Sequence, residues 1–308
     1  MTNEQYLKNL EVPEGKIDVV LDTDAYNEID DQFAISYMLR SDDKLNVKAI
    51  YAAPFYNTNS SSPEDGMVKS YDEILKILEL ADRTDLSDSV YYGSTHYLEN
   101  EQTPVISDAA KHLAALAKNY SPGKPLYVIA IAAITNVASA ILLDKTIAEN
   151  IVIVWLTGTS REFPSAKEFN LMQDIAGARV VFSCGAPIVQ LPCAGVVSAF
   201  TTTGPELNFW LTGKNKLSDY LAKNTIKAAE EYAAGKPWSR PIWDVTAVAW
   251  LLNENNRFMG SKVVKIRLPE YDDTYSKEES EQLMRYVYII ERDTLMKDLF
   301  DKLTKQES

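Results

Sequence analysis

Short β-branched and apolar runs occur at about residues 17–22, 46–53, 88–92, 125–132, 150–156 and 187–191. Between them, at about 31–40, 64–80, 106–119, 136–144 and 173–184, apolar positions recur with helical spacing. Such alternation predicts an α/β fold, a mostly parallel central sheet flanked by helices. Residues 206–235 then turn predominantly helical, and 244–254 form another apolar-faced helix opening at Asp244, so a helical cap beside the sheet is expected. The β pattern returns at about 262–267 and 284–291, ahead of a last helix starting near Asp293 and Thr294. This late pair suits the edge of the sheet, in a direction the sequence does not fix.

The 308 residues are 46% hydrophobic and 24% charged, enough for a large core and ordinary for a soluble enzyme. No Gly/Ser- or Pro-rich linker, fixed repeat or low-complexity run divides them, which predicts one domain over 1–308 with residues 1–15 as an N-terminal extension. A net charge of −13 argues against a nucleic-acid partner, because phosphate backbones are bound by clustered Lys and Arg. It favours a small neutral ligand or a cation-assisted one. Residues 1–16 are polar and acidic, unlike a signal peptide. No apolar run reaches membrane-spanning length, so no membrane partner and a cytoplasmic location are expected. Cys184 and Cys193 lie near apolar neighbours and read as buried thiols rather than as a disulfide or metal site.

The chemistry concentrates in residues 18–33. Val19, Val20 and Leu21 read as a buried strand, while Phe33, Ile35, Tyr37, Met38 and Leu39 supply the apolar positions of a following helix. Asp22, Asp24, Asp30 and Asp31 therefore crowd a strand–loop–helix elbow, at the carboxyl end of a strand where α/β sheets bind ligands. Like charges this close raise one another's pKa unless a cation, protons or donors compensate them. Ca²⁺ or Mg²⁺ suits such a set, since hard cations take carboxylate and carbonyl oxygens. The plainer alternative is that Asp22 and Asp24 cap a turn and Asp30 and Asp31 cap the helix.

Three further segments bring polar groups to the same rim. Thr135 and Asn136 stand where a buried strand gives way to a helix, and capping alone would account for them. Glu168 and Asn170 flank Phe169 and, if extended, face the same way. Trp243 and Asp244 open a late helix, where Asp244 could equally be a simple N-cap.

Together and in this order, over roughly residues 16–300, these segments resemble the inosine/uridine-preferring nucleoside hydrolase family. The family's Asp-x-Asp-Pro-Gly-x-Asp-Asp is matched by Asp22-Thr23-Asp24 and Asp30-Asp31, with Ala25-Tyr26-Asn27-Glu28-Ile29 between them. Its Leu-Thr-Asn-(hydrophobic)-Ala appears as Ile134-Thr135-Asn136-Val137-Ala138, its Glu-Phe-Asn as Glu168-Phe169-Asn170, and its late Asp as Asp244. The resemblance implies an open, mainly parallel sheet, a tightly held Ca²⁺ and hydrolysis of the N-ribosidic bond of a nucleoside or related riboside. It makes Asp24, Asp31 and Asp244 carboxylate ligands, and Thr135 a ligand through its main-chain carbonyl. Asp24 becomes the base that deprotonates the attacking water, and Asp30 the contact to the ribose 2-hydroxyl. Glu168, Asn170 and Asn57 become contacts to the remaining sugar hydroxyls, and a homodimer or homotetramer is implied.

This chain departs from the family pattern in places. The signature's Pro-Gly is replaced and its loop is two residues longer, and the Gly-Gly after a Met becomes Leu156-Thr157-Gly158. Where the inosine/uridine-preferring members carry a His before the late Asp, Trp243 stands here, as in purine-preferring relatives that stack the base between aromatics. Stacking contributes about 1–3 kcal/mol per base, which favours the larger purine ring. His96 follows a strand and is a candidate pocket residue, with a surface-loop position as its alternative, and Tyr232 is a further candidate base contact. Two other functions fit parts of the pattern: a non-catalytic ribose- or nucleoside-binding protein that keeps the metal cradle, and a Mg²⁺-dependent phosphotransferase built on Asp22-Thr23-Asp24. The phosphotransferase leaves Asp30-Asp31, Glu168-Phe169-Asn170 and Trp243-Asp244 unexplained.

Overall fold

A computed structural model describes residues 1–305. Its sheet contains β1 (Ile17–Thr23), β2 (Leu45–Ala52), β3 (Val90–Tyr91), β4 (Leu126–Ala130), β5 (Ile151–Leu156) and β6 (Ile188–Leu191). Strands β7 (Thr201–Thr202) and β8 (Arg240–Pro241) pair separately as a two-stranded ribbon, while β9 (Met259–Lys265) and β10 (Leu283–Ile290) return to the main sheet. The order is β3-β2-β1-β4-β5-β6-β10-β9. Neighbours are parallel except β9, which runs antiparallel to β10 and forms one edge.

Both faces of this sheet are covered, which is why its central strands read as nearly unbroken apolar runs. Successive strand residues point to opposite faces. Val19 and Leu21 thus join one core cluster and Val20 the other; Ile129 and Val154 fall in the first, Val128 and Ile153 in the second. The helices are α1 (Asn3–Asn9), α2 (Asp30–Leu39), α3 (Pro63–Leu80), α4 (Asp108–Ala117), α5 (Thr135–Leu143), α6 (Phe169–Gln173), α7 (Ile175–Ser183), α8 (Gly204–Trp210), α9 (Lys216–Ala233), α10 (Val245–Leu251) and α11 (Arg292–Thr304). Helices α2, α3, α10 and α11 build the first layer through residues such as Phe33, Ile77, Val248 and Leu299. Leu207 of α8 and Leu221 of α9 join that layer too. Helices α4, α5 and α7 cover the opposite face through Leu113, Ile141 and Phe182. No described helix is long and apolar enough to cross a membrane.

Three local features add to the sequence expectations. Residues 1–15 include helix α1, capped by Thr2 and docked by the Tyr6 hydroxyl, which donates to Leu283 O at 2.6 Å. The helix expected over 173–184 is present as α7 (Ile175–Ser183), and the short α6 ahead of it is separate because Asp174 is non-helical and its carboxylate caps α7 through Gly177 N–H. The β7–β8 ribbon was not expected, because two-residue strands carry no readable period.

Candidate active site

The strand–loop–helix elbow forms as β1 ends at Thr23 and α2 begins at Asp30. Asn27 N–H closes a turn on Asp24 O at 2.7 Å, and the Gln32 amide pins the loop by donating to Ala25 O at 2.9 Å and Glu28 O at 3.2 Å. Every residue of α2 is buried, its two acids included, so this helix has no solvent face on which Asp30 and Asp31 could be neutralised by water. Asp31 Oδ1 accepts from the Thr23 hydroxyl at 2.5 Å, and Asp30 Oδ2 accepts from Asp244 N–H at 3.4 Å. Asp244 starts α10 without a side-chain capping bond, so its carboxylate remains available to the site.

Asp30, Asp31 and Asp244 each bring one carboxylate oxygen within 4.8 Å of the other two. Asp24, expected as a ligand from the sequence, lies outside this group of three, where Asp30 stands instead; it is buried near Asp31 and Asp30, and among the described residues neither of its oxygens has a hydrogen-bond partner. Burial first, then the charges of Asp31 and Asp30, push the Asp24 carboxyl well above the usual range. Burial and neighbouring acids act in the same direction on Asp31 and Asp244. An unpaired ionised carboxylate loses several kcal/mol on leaving water. The arrangement therefore needs a compensating cation or bound protons, and an all-oxygen donor set fits a hard divalent cation. Asp22 lies behind: its Oδ1 accepts from Asn136 Nδ2 at 2.8 Å, and burial raises its carboxyl to about 7.

Three of these acids, Asp24, Asp30 and Asp244, line a cleft of about 400 Å³ together with Asn57, Glu168, Asn170 and Trp243, while Asp31 is buried behind its wall. Asn57 donates to Asn27 Oδ1 at 2.5 Å, tying the β2 end to the longer β1–α2 loop. Glu168 and Asn170 reach the cleft from a helix start rather than an extended segment. Glu168 caps α6, its Oε1 accepting from Asn170 N–H at 2.9 Å and its Oε2 from Gly158 N–H at 2.9 Å and Leu171 N–H at 3.1 Å. Burial raises its carboxyl to about 7 against the pull of these donors. The Asn170 amide donates to Leu156 O at 3.1 Å. Trp243 lines the cleft while packing on the core, and its indole N–H donates to Ser198 Oγ at 3.2 Å.

Other sequence candidates lie elsewhere. His96 is exposed, 3.0 Å from the Thr95 hydroxyl, and does not line the cleft. Tyr232, on α9, is 58% exposed and also outside it. Thr135 is fully buried and absent from the cleft wall; its hydroxyl donates to Asp174 Oδ2 at 2.5 Å, and Asp174 also accepts from Leu98 and Gly177 N–H groups. Both cysteines are free and half-buried, with thiol pKa values raised by burial, and Cys193 lines the cleft.

Cleft residues that the sequence motifs do not single out include Asn27, Glu28 and Ser198. Asn27 and Glu28 come from the longer β1–α2 loop, whose two extra residues are the available signal. Glu28 Oε2 pairs with Arg240 at 2.5 Å, and the same guanidinium lies 5.6 Å from the centre of the Trp243 ring.

The sequence profile of the family described as inosine-uridine preferring nucleoside hydrolase matches residues 19–285. A protein named probable uridine nucleosidase 2, from Arabidopsis thaliana, is 26% identical over 233 residues, covering 67% of each chain. Among solved structures, a plant nucleoside hydrolase superposes with a TM-score of 0.73 at 20% identity, over 96% of this chain and 100% of the other. A purine-preferring ribonucleoside hydrolase from Gardnerella vaginalis gives 0.71 at 18% identity, over 93% and 98%. These two likenesses carry the fold.

Proposed function

The chain belongs to the inosine-uridine preferring nucleoside hydrolase family, which makes it an N-glycosyl hydrolase, and from that premise we propose that it cleaves ribonucleosides to free base and ribose in the aspartate-lined cleft. The observation that carries the reading is Asp24, a buried carboxylate whose two oxygens have no partner among the described residues, at the wall of a cleft that also presents Glu168, Asn170 and Trp243.

Asp24, Asp31, Asp244 and the main-chain carbonyl of Thr135 would hold a divalent cation, for which Ca²⁺ is the best match to a set of hard oxygens. When bound, the cation offsets the carboxylate charge and lowers the pKa of water. Asp24 takes the proton of the attacking water, a task that suits a carboxylate with no competing donor. Asp30 receives the ribose 2-hydroxyl, and Asn57, Glu168 and Asn170 hold the other sugar hydroxyls. Glu168 and Asn170 suit this role because backbone groups fix both side chains before substrate arrives. The carboxylates beside the anomeric carbon stabilise an oxocarbenium-like transition state, so no covalent enzyme intermediate is required. Trp243 offers its ring to the base and favours purines. A homodimer or homotetramer in the cytoplasm completes the proposal. The activity is tested by whether purified protein releases base and ribose in equal amounts from a nucleoside.

A further inference from the structure

The pair formed by Glu28 and Arg240 stands outside the ribose and cation chemistry. The β7–β8 ribbon carries Arg240 beside the cleft, where its guanidinium joins Glu28 from the β1–α2 loop and lies 5.6 Å from the centre of the Trp243 ring. Because one guanidinium lies near both, the Glu28 carboxylate and the indole stand at the same end of the cleft, and both line it. Arg240 hydrogen-bonds Glu28 through Oε2, and among the described residues Oε1 has no recorded hydrogen bond. The Glu28 side chain keeps 40% of its surface exposed.

A stabilising role does not explain this arrangement. Ion pairs open to water contribute little net stability; Glu28 here is 40% exposed, whereas Arg240 keeps only 14% of its surface and, among the described residues, has lost solvent at Nε without gaining a hydrogen-bond partner there. Recognition does explain it. The Arg240 guanidinium orients the carboxylate and opposes the rise to about 7 that burial and Asp30 impose on it; its ionised form accepts hydrogen bonds without donating any, and an adjacent ring gives a planar ligand a face to lie on.

We infer that Glu28 is a specificity-determining residue that accepts a hydrogen bond from an N–H group of the nucleobase, with Arg240 as its positioning residue. The substrate class is thereby narrowed to ribonucleosides whose base carries an N–H donor on the ring or exocyclic nitrogens away from the glycosidic bond. Inosine, with its ring N–H, belongs to the class. Purine riboside, which has the same ring system without that donor, does not. The inference rests on the proposed nucleoside substrate and adds the group that reads its base.

The test is kcat/KM for inosine and purine riboside in the parent, Glu28→Ala, Glu28→Gln and Arg240→Met. Loss of one hydrogen bond to a charged acceptor should lower the inosine-to-purine-riboside ratio about 10- to 100-fold in Glu28→Ala. That loss should appear mainly in KM for inosine, as removal of uniform binding requires. Glu28→Gln, which still offers an oxygen, should retain part of the ratio, and Arg240→Met should lose part of it. Inhibition by free ribose should stay at the parent value in all three variants, which separates a lost base contact from a damaged cleft. A ratio unchanged in Glu28→Ala overturns the inference, as does an equal loss for both nucleosides. If the parent releases no ribose from any nucleoside, the hydrolase reading fails. Calorimetric titration of the same two intact nucleosides then decides the role of Glu28 by the same ratio.

Discussion

Asp244 donates its backbone N–H to the Asp30 carboxylate at 3.4 Å across 214 positions of sequence. This contact joins the first turn of α10 to the first turn of α2, so the acids converge only when both helices pack on the sheet. A cation bound there binds the folded chain and not the unfolded one, and its binding energy adds to stability. At a thousandfold excess over its dissociation constant the gain is about 4 kcal/mol. Chelator should therefore lower the melting temperature by several degrees, with Ca²⁺ restoring it. Protein prepared without chelator should carry stoichiometric metal that Asp31→Ala loses. Metal retained in full by Asp31→Ala would exclude that residue from the ligand set.

Asp24→Asn keeps an oxygen for the cation but cannot take a proton from water. Turnover should fall about 10²- to 10⁴-fold, the usual scale of lost base catalysis, with the circular dichroism spectrum unchanged. Activity within a few-fold of the parent would exclude Asp24 as the base.

Asp174 supports the site from behind, gathering the Thr135 hydroxyl and the Leu98 and Gly177 N–H groups on one carboxylate. Asp174→Ala removes the cap of α7, worth about 1 kcal/mol. It also strands buried donors, at about 1–3 kcal/mol. Denaturant unfolding should show a loss of about 2–4 kcal/mol; a change below about 0.5 kcal/mol would mean that these contacts are not formed in solution.

The parts of the fold legible in the sequence were those with a period. Strands β1, β4 and β5 are buried on both faces, so they stand out as apolar runs, and the acids at the β1 end stand out because like charges rarely gather without cause. What escaped was set by contacts distant in sequence. Glu28 lies in a loop with no pattern of its own, and its partner Arg240 is 212 positions away. Helix α1 is short and mostly polar, held by the Tyr6 hydroxyl and by Leu10, which is fully buried just beyond it. The place of His96 after a strand allows either a pocket or a surface-loop position, and the segment beyond β3 exposes it. Glu168 and Asn170 were read as an extended pair, whereas three backbone N–H groups satisfied by Glu168 start a helix there.

Trp243 combines a cleft face with a core contact, and its N–H is occupied by Ser198. The account expects kcat/KM to favour inosine over uridine, and Trp243→Ala to lose purine turnover selectively. Equal losses for both substrates together with lowered stability would mark Trp243 as a packing residue. Uridine turned over as fast as inosine by the parent would defeat the purine preference.

The central claim, that the aspartate-lined cleft hydrolyses nucleosides with the help of a divalent cation, is tested most directly by a reducing-sugar assay. Purified protein would be incubated with inosine, adenosine, guanosine, uridine and cytidine, with and without chelator. The account predicts free ribose from at least one purine nucleoside, abolished by chelator and restored by Ca²⁺. Absence of ribose from all five with Ca²⁺ present, or release that chelator leaves untouched, would contradict it.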